Sequence, residues 1–331
     1  MSLTASSTLA EMNKRAGLVP ALFAVALGGC VLIPGGAPPP GIGTSAIELV
    51  DTPFFPQERY QCGPAALMTV LTDSGAQVSL DSLVDQVYLP GRQGSLQAEL
   101  VAATRAAGRI PYPLNGSMQA IRAELEAGRP VLVLQNLGVS WYERWHYAVV
   151  VGLDPQKSQV ILRSGTDSRR ITDAQTFMHT WRRSDNWALV VLQPGELPEN
   201  PDQQRYFQAL SALEETGYFG AARDAWQAAL ARWPDDPTAL FGLANAELAL
   251  GDFSAAELIY LKLLGQNPAS ASAVRNNLAY ALARQGLKSK AIEQLNIALD
   301  AAADDDFMRQ ELLDSLDEIK KAPDIQSPVH N

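Results

Sequence analysis

Residues 53–71 read PFFPQERYQCGPAALMTVL, and the fold of the N-terminal half turns on them. Pro53 and Pro56 keep the first part extended, because proline fixes its own φ and pushes the residue before it out of the helical region. After Cys62 the apolar residues Ala66, Leu67, Val70 and Leu71 fall at helical spacing, and Pro64 suits a first turn, where its missing N–H costs nothing. The stretch predicts a helix that begins at or beside Cys62. The unpaired N–H groups and positive dipole end of such a helix favour a thiolate, which makes Cys62 a candidate nucleophile. The plainer reading is a small buried hydrophobe.

A thiolate needs a base, and the chain has three histidines. His330 lies in a polar tail, and His179 sits in a charged stretch (FMHTWRRSDNW) that shows neither strand nor helix regularity. His146 opens HYAVVVGLD, an apolar β-rich run that ends in a turn. A histidine at the mouth of a buried strand is held by the sheet while its ring faces a cleft. Around these positions, residues 79–88, 95–108 and 117–128 show helical periodicity with Ser starts and Gly ends. Residues 130–136, 146–153, 159–163 and 187–192 read as short strands. Helices followed by an antiparallel sheet indicate an α+β domain. The aromatic loop Trp141-Tyr142-Glu143-Arg144-Trp145 either lines a substrate cleft or packs over the sheet.

Residues 61–67 (QCGPAAL) and 145–154 (WHYAVVVGLD), in this order and spacing, resemble the C39 and C39-like cysteine peptidases. The resemblance spans about 150 residues and implies a papain-like fold. It implies Cys62 as nucleophile, His146 as base and Gln57, ahead of the cysteine, as amide donor to the oxyanion. The family's third member, an Asp that fixes the imidazole tautomer, is missing from its usual place, where Ser164-Gly165 stands instead. Asp154 lies in the hairpin turn, roughly 25 Å of strand from His146. Folding the hairpin brings Ser164 and Asp167 nearer, and Asp167 is the preferred third member. A Cys-His dyad with a backbone or hydroxyl orienter is the alternative.

The net charge of −10 argues against nucleic acid, which calls for clustered Lys and Arg. No metal cluster or nucleotide fingerprint is present, so no cofactor is expected. Of the two cysteines, Cys30 ends a leader. Lys14 and Arg15 precede an apolar core, residues 16–27, too short to span a bilayer. Leu27-Gly28-Gly29-Cys30 then resembles the lipobox of bacterial lipoproteins. That resemblance implies lipidation at Cys30 and a membrane-anchored envelope protein. Val31, with no Asp after the cysteine, points to the outer membrane facing the periplasm of a Gram-negative bacterium. Residues 33–44 (IPGGAPPPGIGT) are uncharged and rich in Pro and Gly, which reads as a semi-stiff tether.

After residue 194 the chain turns helical and acidic, with three units repeating at about 34 residues. Gly217, Gly251 and Gly286 mark inter-helix turns, and Ala222, Ala256 and Ala291 mark tight crossings. Tyr206 and Leu240, then Trp226, Tyr260 and Leu295, fill the large apolar positions, and Pro234 and Pro268 close the first two units. The third unit has Ala303 in place of that proline, and Asp304-Asp305-Asp306 precedes a capping helix at 307–320. The pattern resembles the tetratricopeptide repeat, which implies a protein partner. The expected plan is a signal peptide at 1–29, a tether at 30–47, a peptidase domain at 48–194, a repeat solenoid at 195–320 and a disordered tail at 321–331. The expected function is hydrolysis of peptide bonds in a peptide or protein substrate by a Cys-His thiol mechanism. Two rivals are an inactive peptide-binding scaffold and a thiol acyltransferase.

Overall fold

A computed structural model describes residues 38–58, 61–139, 141–266, 271–302 and 307–323. The leader with Cys30, and Pro268, Ala303, Asp304–Asp306 and His330, lie outside the described residues.

The helix read from residues 53–71 is α1, Cys62–Asp73, and it starts at the cysteine itself. Three more follow: α2, Leu80–Val87; α3, Gln97–Ala106; and α4, Met118–Glu126. Ser79 and Ser117 cap α2 and α4, each accepting a backbone N–H of the first turn. Ser95 does not cap α3, whose preceding residue is Leu96.

The strands are β1, Ile47–Glu48; β2, Ile110–Pro113; β3, Val131–Asn136; β4, Trp145–Asp154; β5, Gln159–Ser164; β6, Asp167–Asp173; and β7, Ala188–Leu192. They form one antiparallel sheet in the order β2-β7-β3-β4-β5-β6, with β1 pairing on β4. Alternation along each strand separates two cores. Leu132, Leu134, Tyr147, Val149 and Val151 pack with α1, α2 and α3, while Val131, Val133, Ala148 and Val150 pack with Phe177 and Trp181 on the opposite side.

Besides the two-residue β1, three elements escaped the sequence reading, each for a physical reason. β2 is an edge strand whose Pro111 and Pro113 weaken a strand signal. β6 is the other edge; its side chains are largely exposed and charged, so no apolar alternation marks it. The stretch holding His179 is helix α5, Ala174–Arg182, contrary to the irregular segment expected there. Asp173 caps it through the Thr176 N–H, and Phe177 and Trp181 are buried one turn apart.

The supposed tether also differs in its described part. Ile42 is buried, and the Arg122 guanidinium on α4 donates to the carbonyls of Ile42 at 2.8 Å and Ser45 at 3.0 Å. Gly41 and Gly43 have φ of 86° and 89°, and a side chain at Gly41 would run into the Gln119 backbone. These residues form a strap on α4.

Seven helices follow: α6, Gln203–Glu214; α7, Phe219–Arg232; α8, Pro237–Leu250; α9, Phe253–Gln266; α10, Ala271–Arg284; α11, Lys288–Ala301; and α12, Phe307–Lys321. Gly217, Gly251 and Gly286 all take positive φ in the turns. Ala222, Ala256 and Ala291 are fully buried, as are Tyr260 and Leu295. This is a tetratricopeptide-repeat solenoid, and its first pair shares a core with the sheet. Ile110, Tyr112, Val190 and Leu192 pack with Tyr206, Phe207, Leu210 and Trp226. Tyr112 Oη accepts the Asp202 N–H at 2.9 Å, and Tyr218 Oη donates to the Ala106 carbonyl at 2.6 Å. Among the described residues no helix is long and apolar enough to cross a membrane.

Candidate active site

Arg163 organises the cleft from beneath. On β5 and buried, it donates to the carbonyls of Thr52 at 3.0 Å, Val50 at 2.9 Å and Ser168 at 2.6 Å. Burial holds its pKa below the ordinary guanidinium value. The segment it clamps runs on to Gln57, whose N–H donates to the Gly165 carbonyl at 3.1 Å. Gln57, Cys62, Ser164 and Gly165 therefore line one cavity, with Phe54, Phe55 and Tyr147. Its volume is about 10 Å³, on the order of what a single water needs.

Cys62 sits at the head of α1, where no side chain caps the helix. The backbone N–H groups of Tyr147 on β4, of Gly63 and of Cys62 itself favour the charged sulfur. Gly63 is a glycine for want of space, because a Cβ there would overlap the Ser95 side chain. Burial raises the thiol pKa above the ordinary 9.0 and outweighs the three N–H donors that lower it. The helix start supplies the expected N–H donors, yet desolvation wins and the resting sulfur is a neutral thiol.

His146 precedes Tyr147 on β4, so the strand that lines the cavity through Tyr147 also carries the imidazole. The ring is not part of the cavity lining; it meets that lining through Ser164, whose Oγ lies 2.8 Å from Nε2. Burial lowers the imidazole pKa from 6.5 to about 4, and the charges of Arg170 and Arg144 push the same way. The ring is therefore neutral near pH 7. A neutral ring has one nitrogen that donates and one that accepts, and Nε2 is the one in contact with Ser164 Oγ.

The preferred third member is corrected. Ser164, not Asp167, hydrogen-bonds His146. An unbroken β4–β5 register would set Asp167 across from His146, but the register shifts between Val150 and Gly152, and β5 ends at Ser164. The chain then turns, and Asp167 opens the edge strand β6 opposite Ser164, half exposed and 3.7 Å from Arg170. Cys30 lies outside the described residues. Arg163 and Tyr147 went unnoticed in the sequence. The only hint at Arg163 was a charge inside an otherwise apolar strand.

Residues 49–189 match the C39-like peptidase family, and residues 207–271 match the tetratricopeptide repeat. Among solved structures, the chain is similar to a C39-like peptidase from Bacillus anthracis, with 16% identity over 45% of this chain and 98% of that one and a TM-score of 0.37. It is also similar to the peptidase domain of Streptococcus ComA, a bifunctional ABC transporter involved in a quorum-sensing pathway. There the identity is 20%, over 43% of this chain and 98% of that one, with a TM-score of 0.34. A search of the curated proteins found no match.

Proposed function

We propose that the peptidase-like domain hydrolyses peptide bonds with Cys62 as nucleophile and His146 as general base. The observation that carries this reading is Cys62 at the head of α1 in a cavity shared with Gln57 and Ser164, whose Oγ lies 2.8 Å from His146 Nε2. His146 takes the thiol proton as the sulfur attacks a substrate carbonyl. The Gln57 side-chain amide and the Cys62 N–H donate to the oxyanion, and the imidazolium then protonates the leaving amine. A water deprotonated by His146 releases the acyl group and restores the thiol. Because thiol and imidazole both rest neutral, proton transfer accompanies attack instead of preceding it.

The same neutrality favours a second reading, in which the domain is an inactive relative that holds a peptide. A serine in place of a carboxylate stabilises imidazolium weakly, and the cavity at the thiol is small. Alkylation by iodoacetamide separates the two. The hydrolase reading expects Cys62 to label quickly in the native chain and slowly in His146→Ala. Equal, slow labelling of both leaves only the peptide-holding domain.

Two further parts of the reading extend beyond the cleft. Lipidation of Cys30 would anchor the chain in the outer membrane, facing the periplasm. Metabolic labelling with palmitate, abolished in Cys30→Ala, tests it. The repeats would dock a protein partner or substrate, and crosslinking with and without residues 271–321, which lie outside the core shared with the sheet, tests that.

A further inference from the structure

Resting on that reading, we propose that the β3–β4 hairpin is the substrate-selecting wall of the cleft: its Trp141–Tyr142 tip takes a large apolar side chain of an extended peptide, and Arg144 takes a neighbouring carboxylate.

The hairpin is built to be rigid. Leu137 N–H donates to the Arg144 carbonyl at 2.8 Å, and Val139 and Tyr142 exchange backbone hydrogen bonds of 3.0 and 2.9 Å. Asn136 Oδ1 accepts the N–H groups of Gly138 and Arg144, each at 3.0 Å. Arg183, the residue just past α5, donates to the carbonyls of Asn136 and Gly138. Gly138 has no room for a side chain, since a Cβ there would overlap the Tyr142 carbonyl.

This pinned frame presents apolar groups to solvent. Trp141 is 85% exposed and Tyr142 65%, and Leu137, Val139 and Trp145 are exposed as well. Single exposed hydrophobics are ordinary, whereas five within nine residues of a braced hairpin form a patch of the kind that binds. The two tip rings stand 6.5 Å apart at 44°, a fixed aromatic surface that loses little entropy on contact. Trp145, the last of the five, directly precedes His146 on β4.

Charge narrows the occupant. The chain carries −10 overall, yet the groups that act electrostatically on His146 are the cations Arg170 and Arg144. Arg144 is exposed and makes no ion pair among the described residues, and Arg170 has Asp167 only at 3.7 Å. A carboxylate-bearing peptide fits that surface. A lipid bilayer fits less well, because the tip also holds Glu143, fixed as acceptor to Trp145 Nε1 at 3.0 Å, and insertion would bury it.

The test reads binding, not turnover, in the full chain carrying Cys62→Ala. Fluorescein-labelled dodecapeptides with a central Leu-Phe between glutamates are titrated by anisotropy, beside versions with lysine flanks or a Ser-Ser centre. The Glu-flanked Leu-Phe peptide should bind at least about tenfold tighter than either, and Trp141→Ala should weaken it about tenfold. Arg144→Ala should erase the preference for glutamate over lysine. Phe307→Ala, which removes an equally exposed aromatic on α12, should change nothing. Unchanged peptide affinity in both Trp141→Ala and Tyr142→Ala overturns the proposal. So does binding of the parent to phosphatidylglycerol vesicles, lost in Trp141→Ala, without any peptide preference. Because Cys62 is absent from this assay, a failed alkylation test and a failed hairpin test remain distinct results.

Discussion

In the solenoid, one solution repeats: a buried alanine at each helix crossing, at 222, 256 and 291, with Trp226, Tyr260 and Leu295 filling the space beside it. In the sheet domain nothing repeats. Its cleft gathers Gln57, Cys62, Ser164 and Gly165 from positions more than a hundred residues apart, and each depends on a different partner. The contrast teaches where stability and chemistry reside. Local helix pairs need only their neighbours, whereas the cleft exists only once β4, β5 and α1 are assembled. Yet the two regions are not independent, because β2, β7 and the first helix pair share one hydrophobic core.

The largest expected effect breaks the contrast at that joint. Tyr206→Ala removes a fully buried ring that packs 6.3 Å from Tyr112 and donates to the Glu196 carbonyl at 2.7 Å. Urea unfolding should show a loss of about 3–5 kcal/mol, with sheet and helix signals moving together. Separate transitions would mean that the solenoid is a detachable module. Next comes the cleft: His146→Ala should slow any hydrolysis by about a hundredfold, measured at saturating peptide, while leaving the fold intact by circular dichroism.

A pH titration then sharpens the account of His146. Its folded pKa of about 4 lies below the ordinary 6.5, so below 6.5 the unfolded chain binds a proton that the fold refuses. Stability is fully present above pH 6.5 and falls as the pH drops toward 4, by about 2–3 kcal/mol from this group. In His146→Gln that part of the pH dependence should disappear; if it persists, the burial argument fails. The smallest effect concerns Ser164. Ser164→Ala frees the imidazole to rotate and should slow alkylation of Cys62 by about three- to tenfold. Ser164→Asp, which favours imidazolium, should raise it at neutral pH.

Much of the fold was legible because periodicity survives without tertiary context. The helix at Cys62, the strands around His146 and the repeats with their turn glycines all carry it. The edge strands did not, since prolines in β2 and charges in β6 serve to discourage further pairing and so erase the pattern that identifies a strand. The helix α5 was obscured by its short apolar face, Ala174, Phe177 and Trp181 among mostly polar neighbours. At the site, Asp167 was preferred because folding the hairpin brings it near His146 and the family's third member is an Asp. One extra residue in β4 moved the pairing, and the hydroxyl of Ser164 stands where the carboxylate was expected.

The order of residues alone determined the helix that begins at Cys62, the strand that His146 opens, and the small-residue spacing that lets helix pairs stack. Each of these is a matter of neighbours within a turn or two. Only the tertiary structure decided the protonation state of the thiol and imidazole, the partner of the imidazole and the union of sheet and solenoid. Desolvation, strand register and shared burial depend on what other parts of the chain exclude from water.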